Sequence, residues 1–247
     1  MSGTRSPSLK EPVTEAILVS HGQPSDPQGG EERLSALAQK VRIELPEWTI
    51  RSATLAAPKQ LDTVLEASDT EPLLVPIFMT DGWFTNTMLP ERLGQRPVQQ
   101  LAPLGVDPEL PRMTARLLRT TAEQAGWMLE ECEVLLTAHG SATSGDAATC
   151  TLQFADALKQ FLPVKALRTG FLEQEPGIAE IASQCGVKTL ELPFFAASGG
   201  HALDDVPEAL DEAEFMGVRL PVLGEAWFIP ELIAHSLKCA SLKRIAA

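Results

Sequence analysis

The sequence predicts an α/β protein with two parallel sheets, each covered by helices on both faces. Three observations lead there. Residues 16–22 read AILVSHG and residues 134–140 read VLLTAHG, each an apolar run ending in a small residue and then His-Gly, with a spacing of 139 − 21 = 118. Further blocks recur at nearly the same offset: LVPIFMTDGWF (74–84) with ELPFFAASGGH (191–201), LPERL (89–93) with VPEAL (206–210), and PLG (103–105) with VLG (222–224). Within each copy, short apolar runs alternate with amphipathic segments, the pattern of parallel strands joined by crossover helices. The chain therefore reads as two copies of one unit.

Each copy carries the same series of elements. The apolar runs 16–20 and 134–138 are buried strands. A Gly-containing loop and an amphipathic helix follow (31–45; 146–162), then a short strand (about 49–55; 165–172) and a second helix (58–67; 176–185). The runs 72–79 and 188–196 form another buried strand and lead into a loop. A short helix after Pro90 or Pro207, a last strand and a closing helix (109–125; 225–240) complete the unit. The expected organisation is a disordered leader over 1–14, a first repeat over 15–126 and a second over 133–247, joined near 126–133.

Bulk properties narrow the partners. The net charge of −13 offers no basic surface from which a polyanion would release counterions, which argues against nucleic acid and anionic membranes. The opening MSGTRSPSLKEP has no apolar core of a signal peptide, and no apolar run approaches the ~20 residues of a membrane span. Cys132, Cys150, Cys185 and Cys239 lie on separate segments without a CxxC pair, so buried thiols in a reducing compartment are expected. A cytoplasmic protein is expected.

Ligands of such sheets bind beyond the C-terminal strand ends. His21, His139, Glu173 and His201 all fall there. Gly140 and Ser141 follow His139, and Gly199 and Gly200 precede His201; glycine at such places lets backbone turn sharply and approach a ligand. His235 lies inside the closing helix and carries little weight. His139, Glu173 and His201 form a borderline-hard set for Fe, Co, Ni or Zn, or, without metal, proton acceptors near neutral pH. The repeat sharpens this reading. His21 matches His139, but Ala56 stands opposite Glu173 and Phe84 opposite His201, so only the second copy keeps all three groups.

TAHGSA (137–142), FLEQEP (171–176) and PFFAASGGHALDDVPEAL (193–210) resemble the CbiX/sirohydrochlorin chelatase family of class II chelatases. Through the tandem copies the resemblance covers nearly the whole chain after residue 15. It implies two flavodoxin-like (chelatase-like) domains and ATP-independent insertion of Co²⁺ or Fe²⁺ into sirohydrochlorin or a related tetrapyrrole; no phosphate-binding GxxxxGK[ST] loop is present. It places the family's two histidines on His139 and His201 and its acid on Glu173, with Glu175 the close second. His21, Ser141, Gly199 and Gly200 would contact substrate. No cofactor beyond the substrate metal is implied, and the protein would be a monomer or homodimer. MTDGWF (79–84) and HGQPSD (21–26) depart from the family pattern, marking the first copy as degenerate. Arg51, Arg92, Lys165 and Arg168 are candidates to meet the macrocycle's carboxylates, and Trp83, Phe84, Phe194 and Phe195 to flank its flat ring. A zinc-dependent hydrolase and a non-catalytic metal carrier are the competing readings.

Overall fold

The computed structural model describes residues 14–57, 59–141 and 146–246. The expected leader therefore lies, apart from Thr14, outside the described residues, as does Ala142 of the TAHGSA segment. The first repeat runs β1 (Glu15–Ser20), α1 (Pro27–Glu44), β2 (Thr49–Thr54), α2 (Gln60–Glu66), β3 (Leu73–Pro76), α3 (Leu89–Leu93), β4 (Gln99–Gln100) and α4 (Leu110–Gln124). The second runs β5 (Glu133–Ala138), α5 (Asp146–Lys159), β6 (Ala166–Phe171), α6 (Ile178–Ala182), β7 (Thr189–Pro193), α7 (Val206–Glu212), β8 (Val218–Arg219) and α8 (Ile229–Ala246).

The two sheets have the same strand order, β2-β1-β3-β4 and β6-β5-β7-β8. Pairing is parallel, with β1 against β2 from Glu15↔Thr49 to Ser20↔Thr54 and β5 against β6 from Glu133↔Ala166 to Ala138↔Phe171. The chains of apolar residues that predicted the central strands are buried on both sides, as parallel strands under helices require: every residue of β5 is buried, and every residue of β1 except Ser20.

The correspondence between repeats extends to single atoms. Gly22 and Gly140 both take positive φ, +74° and +71°, and an added Cβ would meet Thr54 or the Gln174 and Phe171 side chains. Gly105 and Gly224 press against the carbonyls of Met79 and Ala196, where a Cβ would come within 2.0 and 2.1 Å of oxygen. A π-helical turn enters α3 (Phe84–Met88) and another enters α7 (His201–Asp205). Each first strand opens on a buried glutamate paired with an arginine of the next strand: Glu15 with Arg51, and Glu133 with Arg168 and Lys165. The hydrogen bond from Lys165 holds the Glu133 carboxyl below the usual carboxylate range. Arg51, Lys165 and Arg168 thus serve ion pairs at the N-terminal strand ends, opposite to the ends that carry the histidines; reading charge by position alone suggested a ligand role for them that this placement removes.

Other details differ from expectation. α1 begins at Pro27, earlier than residue 31, because Asp26 caps it through the Gly29 N–H at 3.0 Å. β3 and β7 end at Pro76 and Pro193, and the remaining apolar residues of each run belong to the following loop. The four cysteines are free, but only Cys132 and Cys150 are fully buried. The compact units also cut across the repeats. One comprises the described residues up to Val75, with Gln95–Leu101 and Pro230–Ala247; the other comprises Pro76–Gly94 and Ala102–Ile229. α4 closes the first repeat in sequence yet belongs to the second unit, where its buried stripe of Leu110, Thr114, Ala115, Leu118 and Ala122 packs on α5 and β7.

Candidate functional site

β5 ends at Ala138 and delivers His139; the Leu172 N–H bonds to the Ala138 carbonyl and the Glu173 N–H to the His139 carbonyl at 3.0 Å. The first repeat repeats both bonds, with Leu55 on Ser20 and Ala56 on His21. Ala56 is therefore the structural counterpart of Glu173. Glu175 is spent elsewhere, accepting from the Gly177 N–H at 3.0 Å. Of the two acids left open by the sequence, Glu173 is the one beside His139, with its Oε2 3.6 Å from His139 Nδ1.

His201 is the first residue of the π-helical turn that enters α7. Such turns recur at functional sites, because the wider turn redirects side chains. It stands edge-on to His139, with ring centroids 4.5 Å apart and planes at 89°. His201 Nδ1 lies 2.6 Å from Asp205 Oδ2, one turn later. His139 Nδ1 lies 3.2 Å from the Gly140 carbonyl. Both of these partners are acceptors; in a neutral imidazole that places the proton on Nδ1 and leaves the Nε2 lone pair open, the usual tautomer of an imidazole that binds a metal or takes a proton. His139, His201 and Glu173 are 39–57% exposed in their side chains, so ions reach them from water.

Among the described residues, no three His, Cys, Asp or Glu side chains are already grouped as a metal-binding set. Glu173 explains why the expected His139–Glu173–His201 triad is not closed: it faces the Nδ1 side of His139, away from the Nε2 lone pair. Two imidazoles stand together and the carboxylate backs one of them. Asp205, which backs the other, is the residue that sequence reasoning missed. Its signal was present in HALDD, four residues after His201, but counts only if a helical turn begins at that histidine.

The remaining expectations divide. His21 repeats the local geometry of His139, with Nδ1 2.9 Å from the Gly22 carbonyl. Ser141 is tied down, its N–H bonding Gln174 Oε1 at 2.9 Å. Gly199 and Gly200 show no positive φ, and a Cβ on Gly199 would meet nothing within 4 Å, so they do not serve the tight turn expected of them. Phe194 is core, packed on Phe154 at 4.6 Å, and so is not available to flank a ring; Phe195 is half-buried and packs against the apolar cluster of α6 and α7. Trp83 is exposed and stands edge-on to Phe84, which in turn stacks on Phe78 at 5.8 Å. Arg92 lies on α3. His235 is an exposed residue of α8 whose Nε2 lies 3.5 Å from Cys239 Sγ.

The family model CbiX matches residues 133–239, the segment that holds these groups. A solved structure described as CbiX, the terminal enzyme for biosynthesis of siroheme in denitrifying bacteria, is 38% identical, covering 92% of this chain and 99% of that chain at a TM-score of 0.83. SirB from Bacillus subtilis with Fe³⁺ shares the fold at 16% identity and a TM-score of 0.74, covering 94% of this chain and 97% of that chain. The sirohydrochlorin chelatase SirB from Bacillus subtilis subspecies spizizenii in complex with cobalt does so at 15% identity and 0.67, again covering 94% and 97%. No curated protein sequence matches significantly. With more than a third of its residues identical to a CbiX protein over nearly the full length of both, and the family model on its second repeat, this chain belongs to the CbiX family.

Proposed function

We propose that this protein is a lyase that inserts a divalent metal, Co²⁺ or Fe²⁺, into sirohydrochlorin or a related tetrapyrrole without ATP. Family membership supplies the reaction class. The observation that carries the site is the edge-on pair His139 and His201, each backed at Nδ1 by an acceptor and presenting Nε2.

Insertion needs three things from the protein: a partly dehydrated metal ion, a held macrocycle and a place for two pyrrole protons. His139 and His201 hold the incoming ion through their Nε2 atoms. Two imidazoles with water in the other positions bind weakly enough to give the metal up, which an insertion site requires and a closed structural site prevents. As each macrocycle N–H breaks, its electron pair stays on nitrogen and enters the metal–nitrogen bond, while the proton leaves to a site base. A histidine that has released the metal accepts that proton at Nε2. Glu173 then takes the Nδ1 proton of His139 and passes it to solvent, and Asp205 does the same for His201. The metal is the substrate, and no nucleophile or phosphate donor enters. Among the described residues no helix is long and apolar enough to cross a membrane.

The test is anaerobic spectrophotometry of sirohydrochlorin with Co²⁺ and with Fe²⁺, with and without the protein. A protein-dependent shift to the metallated spectrum is expected. Metal bound without turnover would make the protein a carrier, and tight zinc without tetrapyrrole binding would make it a hydrolase.

A further inference from the structure

Glu191 is 1% exposed in the middle of β7, between Leu190 and Leu192. It pairs in register with Leu135 of β5, and Thr137 of β5 donates to its Oε1 at 2.6 Å. Successive residues of a strand alternate faces, so Leu135, Thr137 and His139 point to the same side. That side is covered by the cluster of Ile178 and Ala182 from α6 with Val206 and Leu210 from α7, the helix entered through His201 and Asp205. Glu191 and Thr137 are therefore joined on the two strands that lead to the histidine pair: β5 leads to His139 in one residue, and β7 leads into the loop that ends at His201.

The first repeat provides an internal control. Leu101 N–H bonds the Leu74 carbonyl as Leu220 N–H bonds that of Glu191, and Thr137↔Gly170 matches Val19↔Ala53, so the counterparts of Glu191 and Thr137 are Leu74 and Val19. Both are fully buried. The fold thus closes the same two positions with an apolar pair in the half without His201. A buried carboxyl is costly unless something compensates, and here burial pushes it up to about 7 despite the Thr137 bond and the nearby Arg219. Arg219, its register partner on β8, is itself paired with Asp211 of α7 at 2.5 Å, and Cys185 borders the same cluster. Packing does not call for the acid.

We propose that Glu191 is a positioning residue of the metal-insertion site, fixing through Thr137 the strand end that carries His139 relative to the strand that leads to His201. This inference rests on the insertion reading above. Glu191 touches neither metal nor macrocycle; it acts through the hydroxyl of Thr137.

The experiment compares the parent, E191Q, and the double variant T137V/E191L, which installs the apolar pair of the other repeat. Insertion of Co²⁺ into sirohydrochlorin is followed as a function of pH, alongside thermal unfolding and amide hydrogen exchange over 137–141. The double variant is expected to unfold at no lower temperature than the parent, yet to lose roughly tenfold in kcat and to exchange faster over 137–141. E191Q, whose carboxamide oxygen still accepts from Thr137, is expected to regain most of the rate while losing the inflection near neutrality from the pH profile. A double variant that inserts metal at the parental rate overturns the proposal. So does a double variant that unfolds more easily while a folded E191Q shows the parental pH profile, since the pair would then be structural. A parent without insertion activity would sink the functional reading instead, and the exchange data would still decide on Glu191: unchanged exchange over 137–141 in the double variant contradicts the positioning role.

Discussion

The two repeats have the same strand order, the same positive-φ glycine after the first strand, the same π-helical turn before the third helix and the same buried Glu–Arg pair at the sheet's base. Among the matched positions that differ, Val19, Ala56, Leu74, Phe84 and Met88 in the first stand where the second has Thr137, Glu173, Glu191, His201 and Asp205. Each of these five replaces an apolar residue with a polar or ionisable one; Glu173 and His201 lie beside His139, Asp205 bonds His201, and Glu191 bonds Thr137 on the strand that ends at His139. What the repeats share builds the fold; on the proposed function, the polar groups found only in the second serve the chemistry.

That separation can be broken most directly at His139. His139→Ala should slow metal insertion by roughly a hundred- to ten-thousand-fold, the range spanned by loss of a positioned proton-transfer group, with circular dichroism unchanged. A loss below tenfold would place the chemistry elsewhere.

The next largest effect concerns pH. The folded value of Glu191 is raised above that of the unfolded chain, to about 7 from 4.5, so between those limits the native state binds more protons. Stability from this group is therefore fully present below about pH 4.5 and is lost as pH rises through about 7, a change on the order of 3 kcal/mol. Urea unfolding of the parent and E191Q across this range should diverge by that amount, the parent declining relative to the variant. Parallel curves would mean that the carboxyl stays ionised when folded.

Asp205 should matter less, because it acts through His201. Asp205→Asn is expected to weaken Co²⁺ binding about ten- to a hundredfold, measured by equilibrium titration. Mutating Met88, its counterpart, to Ala should leave cobalt binding unchanged.

The smallest effects should be the same in both halves. Gly22→Ala and Gly140→Ala each force a side chain into positive φ and into a neighbour, at a cost of about 1–3 kcal/mol. Similar losses in chemical denaturation would support the shared scaffold; a large loss at one site alone would show that the repeats are not held by the same constraints.

Much of the fold was legible because buried parallel strands write themselves as continuous apolar runs, and because the second copy confirmed each block of the first. His139 and His201 were legible as strand-end residues flanked by glycine. Glu173 was legible only as one of two acids, and the backbone bond to His139 separates it from Glu175. Four kinds of information were not in the pattern. Glu191 was hidden inside the run 188–196, where a single acid reads as noise until its burial is known. Asp205 depends on a turn type that leaves no periodic trace. The roles given to Arg51, Lys165 and Arg168 failed because sequence position does not say which end of a strand a side chain serves, nor that Glu15 and Glu133 await them there. The exchange of α4 and α8 between compact units is likewise invisible, since an amphipathic stripe shows that a helix packs but not on which sheet.

The central claim, that the second repeat alone carries the chemistry, is tested by the insertion rates of His201→Ala and His21→Ala at saturating metal, with circular dichroism confirming that both fold. The account predicts near-total loss in His201→Ala and a change of a fewfold at most in His21→Ala, whose repeat has Ala56 and Phe84 at the matching positions. Equal, near-total loss in both would contradict it and make His21 a direct participant, and full activity in His201→Ala would mean that the site lies elsewhere.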